Sequence, residues 1–208
     1  MACAGNLSVR VDGGDVIAIT PTSIPYERMT SDQIVVVSLE SGKPIDSSLA
    51  PSTELPTHLA IYRSRPDVGA IVHTHAPYVS TLAVLRRPLP PVIDEMIVYF
   101  GGTIEVAGYA FTGTVELGER VVEALGDRAG VILSNHGNVC VGSDLEDVVH
   151  LALTMEATAR VYVEALRTGC IAVLPPEALK IGRQAYERRR RERDAAAVRH
   201  GTPKCRIL

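Results

Sequence analysis

In Ala70-Ile71-Val72-His73-Thr74-His75, an apolar run climbs like a buried strand and ends in two histidines one residue apart. Side chains alternate across a strand, so His73 and His75 project to the same face, close enough to share one ion. Imidazole is a common zinc ligand, and a catalytic zinc usually has three protein ligands and keeps one position open. The third ligand has to come from elsewhere. Val131-Ile132-Leu133-Ser134-Asn135-His136-Gly137 supplies the best candidate, His136, just past a second buried strand and before a glycine that permits a tight turn. An HxH pair alone is often an ordinary polar pattern. Two separate strand ends that each deliver histidine, with a carboxylate at Glu54, make a stronger case. His58 and His150 fall within helical patterns and read as surface groups or supports for the ligands, and His200 lies in a basic tail.

Working outward, alternating or short apolar runs predict strands over Asp15 to Thr20, Gln33 to Ser38, Val68 to His73, Ile104 to Val106 and Gly130 to Leu133. Helical patterns lie between them. Ser52 to Ser64 opens with hydroxyls that can cap a first turn, and Leu55, Leu59 and Tyr62 follow at helical spacing. Val115 to Leu125 stops at Gly126, and Leu145 to Thr168 stops at Gly169. Pro175-Pro176 then breaks the chain before a last helix from Glu177 to about Val198. Strands mixed with helices predict one layered α/β domain over 1–208, ending in a basic helix and tail from about 177.

Composition narrows the function. With 208 residues and 46% hydrophobic content, the chain can build a real core. No apolar run approaches the ~18 to 20 residues of a membrane span, and the N-terminus lacks the pattern of a signal peptide. Cys3, Cys140, Cys170 and Cys205 form no CxxC pair, which argues against cysteine zinc clusters and fits reduced thiols in the cytoplasm. The net charge of −3 is uneven: residues 177–208 carry ten Lys/Arg against four Asp/Glu, +6, which leaves −9 for the rest. The run Arg188-Arg189-Arg190-Arg191 has no interleaved aromatics for base stacking. It reads as a solvated or subunit-contacting helix face rather than a nucleic-acid site.

Three small-residue segments suit an anion: Ala4-Gly5-Asn6-Leu7-Ser8, Thr20-Pro21-Thr22-Ser23 and Ser52-Thr53. Hydroxyls and the N–H groups of tight turns donate to phosphate oxygens, and a helix N-terminus adds its positive dipole end. Each alone is more commonly a cap or turn. None is a Walker loop or a GxGxxG fingerprint, so a nucleotide cofactor is not indicated.

Together these segments resemble the class II aldolase/adducin family over roughly residues 3–175. The likeness runs through Gly5-Asn6-Leu7-Ser8-Val9-Arg10, Ile19 to Glu27, Pro51-Ser52-Thr53-Glu54, Arg65 to His75, Phe100-Gly101-Gly102 and Asn135-His136-Gly137. The resemblance implies a three-layer α/β/α sandwich with a mixed, mostly antiparallel sheet, assembled as a homotetramer with active sites at subunit interfaces. It implies one Zn2+ per chain on His73, His75 and His136, an acid/base at Glu54, and a phosphate pocket of Asn6, Thr22, Ser23, Ser52 and Thr53. The reaction implied is cleavage of an L-fuculose 1-phosphate-like deoxyketose 1-phosphate to dihydroxyacetone phosphate and a small aldehyde. Zinc would stabilise the charge that forms, and Glu54 would handle protons with its pKa raised toward neutrality.

The departures bear on the reaction. Relatives carry a helix before the first Gly-Asn, a family glycine is here Ser23, and Cys3 stands where a phosphate-binding threonine is usual. In the family's aldolases a tyrosine donates a proton to the aldehyde half at the position of Glu95, and Tyr99 lies four residues later. Glu95-Met96-Ile97 also resembles a dehydratase branch that acts on methylthioribulose 1-phosphate and uses that glutamate as acid/base. That branch generally lacks the glutamate kept here as Glu54, and so do the family's sugar-phosphate 4-epimerases. Glu95 is otherwise a partner of a zinc histidine or a salt bridge at a subunit contact. A non-catalytic adducin-like scaffold is the remaining reading, disfavoured because all three histidines are kept.

Overall fold

The computed structural model describes residues 4–11, 14–45 and 48–200. A seven-stranded sheet runs through the middle in the order β3-β2-β1-β4-β7-β6-β5. The strands are β1 (Asn6–Arg10), β2 (Val16–Ile19), β3 (Val35–Ser38), β4 (Ala70–Thr74), β5 (Val106–Ala107), β6 (Gly130–Leu133) and β7 (Gly137–Gly142). Neighbours are antiparallel except β5 and β6, which run parallel. Helices α1 (Leu55–Ser64) and α4 (Val115–Leu125) cover one face. The other face carries α2 (Pro77–Leu85), α3 (Asp94–Phe100), α5 (Leu145–Thr168) and α6 (Pro176–His200). This is the three-layer α/β/α arrangement expected.

The strand pattern explains the two cores. On β4, Ile71 packs toward α1 and α4, whereas Ala70 and Val72 pack toward α2 and α5. β6 and β7 divide in the same way, with Val131, Leu133, Val139 and Val141 on the first side and Ile132 and Cys140 on the second. Strands buried on both faces read as near-continuous apolar runs. The alternation puts His73, two residues after Ile71, on the α1 side. In α4, Leu117, Val121 and Leu125 recur at helical spacing and are buried, and the Thr114 hydroxyl accepts from Leu117 N at 3.2 Å to cap the first turn.

Several elements differ from expectation. Helix α1 begins at Leu55, three residues after Ser52; Leu55 N donates to Ser52 O at 3.0 Å and Glu54 N to the Ser52 hydroxyl at 3.3 Å, which closes a separate turn before the helix. The segment from Asn6 is a strand whose buried positions are polar, Asn6 and Ser8, so it lacks an apolar stripe on that face. β7, bounded by glycines, and helices α2 and α3 belong to no predicted element. Ile104 forms only an isolated bridge with Leu89, and β5 starts at Val106.

Within the basic run, Arg189 lies 4.3 Å from the centre of the Tyr99 ring, and Arg190 reaches Asp67 at 3.5 Å. These contacts tie the last helix onto the domain. Cys3, Cys205 and the tail from 201 lie outside the described residues. Among the described residues no helix is long and apolar enough to cross a membrane, and Cys140 and Cys170 are free thiols.

Candidate metal centre

The three histidines predicted as ligands come together. His73 and His75 leave the end of β4 on one face, with their Nε2 atoms 2.9 Å apart. His136 arrives from the tight connection between β6 and β7, and the three ring centres are mutually 4.7 to 4.8 Å apart. That connection turns at Asn135, which takes φ 58. Its N–H donates to Ala83 O at 3.0 Å, and Arg86 donates to its Oδ1 at 3.1 Å. Gly137 permits the approach of the two strand ends, since a Cβ there would stand 2.2 Å from Thr74 O.

The central strand is held from both sides. His73 pairs with Asn6 on β1 and with Val139 on β7. Its Nδ1 donates to Asn138 O at 2.9 Å, which leaves Nε2 as the atom turned to the other rings. Glu54 closes the cluster. Its Oε2 lies 2.9 Å from His73 Nε2 and its Oε1 lies 3.3 Å from His136 Nε2. Asn6 Nδ2 donates to Oε2 at 2.7 Å, and the Thr112 hydroxyl donates to Oε1 at 2.7 Å.

The charge states follow from these contacts. Burial lowers His75, and the neighbouring His73 lowers it further. The same two causes, in the same order, bring His136 down to about 4. Both rings are neutral at neutral pH, the form that binds a metal. Burial pushes Glu54 up, but hydrogen bonding and charge at His73, with the bonds from Thr112 and Asn6, outweigh it and hold the carboxyl below its ordinary range. The sequence-based expectation of a Glu54 pKa raised toward neutrality is therefore not met in this arrangement, because the carboxylate has donors at both oxygens.

The donor set fits a divalent metal. The three imidazoles offer nitrogens within 4.8 Å of one another. Tetrahedral zinc with Zn–N bonds of about 2.0 to 2.1 Å needs ligand nitrogens roughly 3.3 Å apart, and the His73 and His75 Nε2 atoms at 2.9 Å bracket that spacing with the 4.8 Å bound on the set.

The three segments expected to suit an anion converge beside this cluster. Thr20 N donates to Leu7 O and Ser52 N donates to Thr20 O, each at 3.0 Å, while Thr22 N donates to Ala50 O at 3.1 Å. Thr22 Oγ1 and Ser23 Oγ are 3.4 Å apart, and Ser23 holds φ 62, the left-handed region that favours glycine. Ser23 and Thr53 are exposed, whereas Asn6 and Ser52 are buried.

Glu95 and Tyr99 are not brought to the imidazoles within one chain. Both lie on α3, in the opposite helical layer; Glu95 is exposed, and Tyr99 packs edge-on against His150 at 5.0 Å.

Sequence reasoning missed Thr112, which no motif marks, and left His58 open between a surface group and a support for the ligands. A signal for His58 existed: it follows Glu54 by four residues, one helical turn along the same face. The ring is fully buried between Asn6 and Ser8.

Residues 1–163 match the family described as Class II Aldolase and Adducin N-terminal domain. The chain belongs to that family. It is 38% identical over 179 residues to an L-fuculose phosphate aldolase of Escherichia coli strain K12, covering 86% of this chain and 81% of the relative. It is 34% identical over 177 residues to a 5-methylthioribulose-1-phosphate/5-deoxyribulose-1-phosphate aldolase of Rhodospirillum rubrum, covering 85% and 78%. A solved L-fuculose 1-phosphate aldolase superposes with a TM-score of 0.85 at 33% identity, covering 89% of this chain and 87% of that one. The protein is thus a class II aldolase, a carbon–carbon lyase of the metal-dependent type, and His73, His75 and His136 form a metal site.

Proposed function

We propose that the protein is a zinc-dependent aldolase that cleaves a deoxyketose 1-phosphate to dihydroxyacetone phosphate and a small aldehyde. The observation that carries this reading is the convergence of His73, His75 and His136 with Glu54, beside the hydroxyl-bearing turns at Thr22-Ser23 and Ser52-Thr53. A zinc ion held by the three imidazoles would supply Lewis-acid stabilisation for the negative charge that bond cleavage leaves on the phosphate-bearing fragment.

The chain's own residues do the rest. Asn6, Thr22, Ser23, Ser52 and Thr53 bind the phosphate and thereby set which oxygens face the imidazoles. Glu54, set against His73 and His136, is the base that moves a proton to and from the same fragment. Glu95 and Tyr99 reach the aldehyde half from another copy in a homotetramer. Their position in the opposite layer, with Glu95 exposed, supports that division.

The natural substrate is either L-fuculose 1-phosphate or a 5-substituted ribulose 1-phosphate. Both are acted on by relatives of similar identity, and both yield dihydroxyacetone phosphate. Zinc-loaded protein incubated with L-fuculose 1-phosphate, 5-deoxyribulose 1-phosphate and methylthioribulose 1-phosphate should release dihydroxyacetone phosphate from at least one of them. Loss of water from methylthioribulose 1-phosphate, with no triose phosphate formed, would overturn the aldolase reading in favour of a dehydratase.

A further inference from the structure

Behind the metal centre, two rows of polar side chains interlock between the sheet and α1. Glu54, His58 and Tyr62 succeed one another every four residues along the helix, a rise of about 6 Å per step. On β1, Asn6, Ser8 and Arg10 share the facing side at every second residue, about 6.7 Å per step. The two repeats nearly match, so the rows stay in register.

Asn6 Nδ2 donates to Glu54 Oε2 at 2.7 Å, and His58 Nε2 lies 2.6 Å from Asn6 Oδ1. His58 Nδ1 lies 2.6 Å from Ser8 Oγ, which lies 3.0 Å from the Tyr62 hydroxyl. All five residues are buried.

Donor and acceptor chemistry gives this row one direction. Asn6 donates from Nδ2 to Glu54 Oε2 and so presents Oδ1 to His58. Oδ1 only accepts, so His58 Nε2 carries the hydrogen. In the neutral ring Nδ1 is then an acceptor. It is filled by the Ser8 hydroxyl, whose oxygen in turn accepts from Tyr62. Without the hydrogen on His58 Nε2, Asn6 Oδ1 loses its donor, and only the bond to Glu54 itself orients the amide. From this geometry we infer that His58, fixed as the Nε2–H tautomer, is a positioning residue that acts through Asn6 to hold the Glu54 carboxylate against the three imidazoles.

The His58 ring spends both nitrogens on Asn6 and Ser8 rather than on the metal-site imidazoles. The consequence for turnover rests on the proposed aldolase reaction; the tautomer does not. Histidine-selective 15N NMR of the full chain, metal-free and zinc-loaded, should show His58 with a protonated Nε2 and a pyridine-like Nδ1. In Ser8→Ala, which removes the donor to Nδ1, the Nε2 proton should exchange faster.

In turnover assays, His58→Leu should lower kcat about 10- to 100-fold with zinc content unchanged. His58→Gln, whose amide can donate to Asn6 and accept from Ser8, should recover most of that loss. A protonated Nδ1 in the wild type, or a folded His58→Leu protein with wild-type kcat, overturns the inference. If His58→Leu does not fold, the tautomer and the Ser8→Ala exchange rate decide. If the wild type cleaves no ketose 1-phosphate, the proposed reaction fails, and the NMR result alone supports or sinks the positioning row.

Discussion

A single methyl group added at Gly137 tests whether the metal centre depends on the close approach of two strand ends. The new Cβ would lie 2.2 Å from Thr74 O and 3.0 Å from His75 Cδ2. An ordinary carbon–oxygen contact needs roughly 1 Å more, and β4 cannot yield along its length because it is paired with β1 on one side and β7 on the other. The displacement therefore falls on the ends, where His75 and His136 sit. Ligand positions tolerate about 0.2 Å, so a shift of this size should raise the zinc Kd at least about 10-fold, or about 1.4 kcal/mol. Overpacking should also cost about 1 to 3 kcal/mol of stability.

Chelator competition gives the Kd, and urea denaturation of the metal-free protein gives the stability. Gly14→Ala is the control. Gly14 holds φ 79 with nothing near its Cβ position, so alanine there should cost about 1 to 2 kcal/mol and leave the zinc Kd unchanged. Wild-type zinc affinity in Gly137→Ala would refute the packing argument.

Three further outcomes follow from the same geometry. Glu54→Gln places an amide N–H against the donors Asn6 or Thr112 and removes the base, so kcat should fall about 10²- to 10⁴-fold with zinc retained; activity above a tenth of wild type would exclude the assigned role. Ser23→Gly relieves an exposed left-handed residue and should stabilise the protein by about 0.5 to 1 kcal/mol, read as a higher Tm. Burial, followed by the charge of His73, lowers His58 to about 3. The unfolded ring therefore takes a proton near pH 6.5 while the folded one does not, and stability that is whole above 6.5 is lost as pH falls toward 3. Between pH 6 and 5 the metal-free protein should lose about 1.4 kcal/mol per pH unit from this group, and His58→Gln should flatten that limb by the same amount.

What the sequence made legible follows the apolar pattern. β4 and β6 stand out because both faces are covered and their residues are apolar almost without break, and their ends deliver the histidines. β1 is hidden for the opposite reason: its α1-facing positions are Asn6 and Ser8, so a strand that carries buried polar groups looks like an anion-binding turn. Helix α2, apolar nearly all round and opened by Pro77, shows no amphipathic stripe. The start of α1 is blurred because Ser52 caps a turn of its own, closed by Leu55 N on Ser52 O, just before the helix. Thr112 was out of reach, since a loop residue that touches a carboxylate 58 positions away leaves no local trace.

The distribution of supports around Glu54 bears on how substrate choice is divided. The groups proposed to serve the phosphate side all come from one chain and from elements locked to β4: Asn6 through the β1 ladder, His136 through the β6–β7 turn, and Ser52 through its bond to Thr20. None of these is free to adapt to a different aldehyde. In the proposed reaction they would face the phosphate-bearing fragment, which is the same for each candidate ketose 1-phosphate. In the proposed assembly the aldehyde half meets Glu95 and Tyr99 of another copy, carried on a seven-residue helix packed beneath α6. Substitutions at Glu95 should then redistribute activity among the three ketose phosphates while zinc affinity stays constant. Measured together, the substrate panel and the zinc Kd of Glu95→Tyr separate the two halves, and a change in zinc affinity would show that the division is wrong.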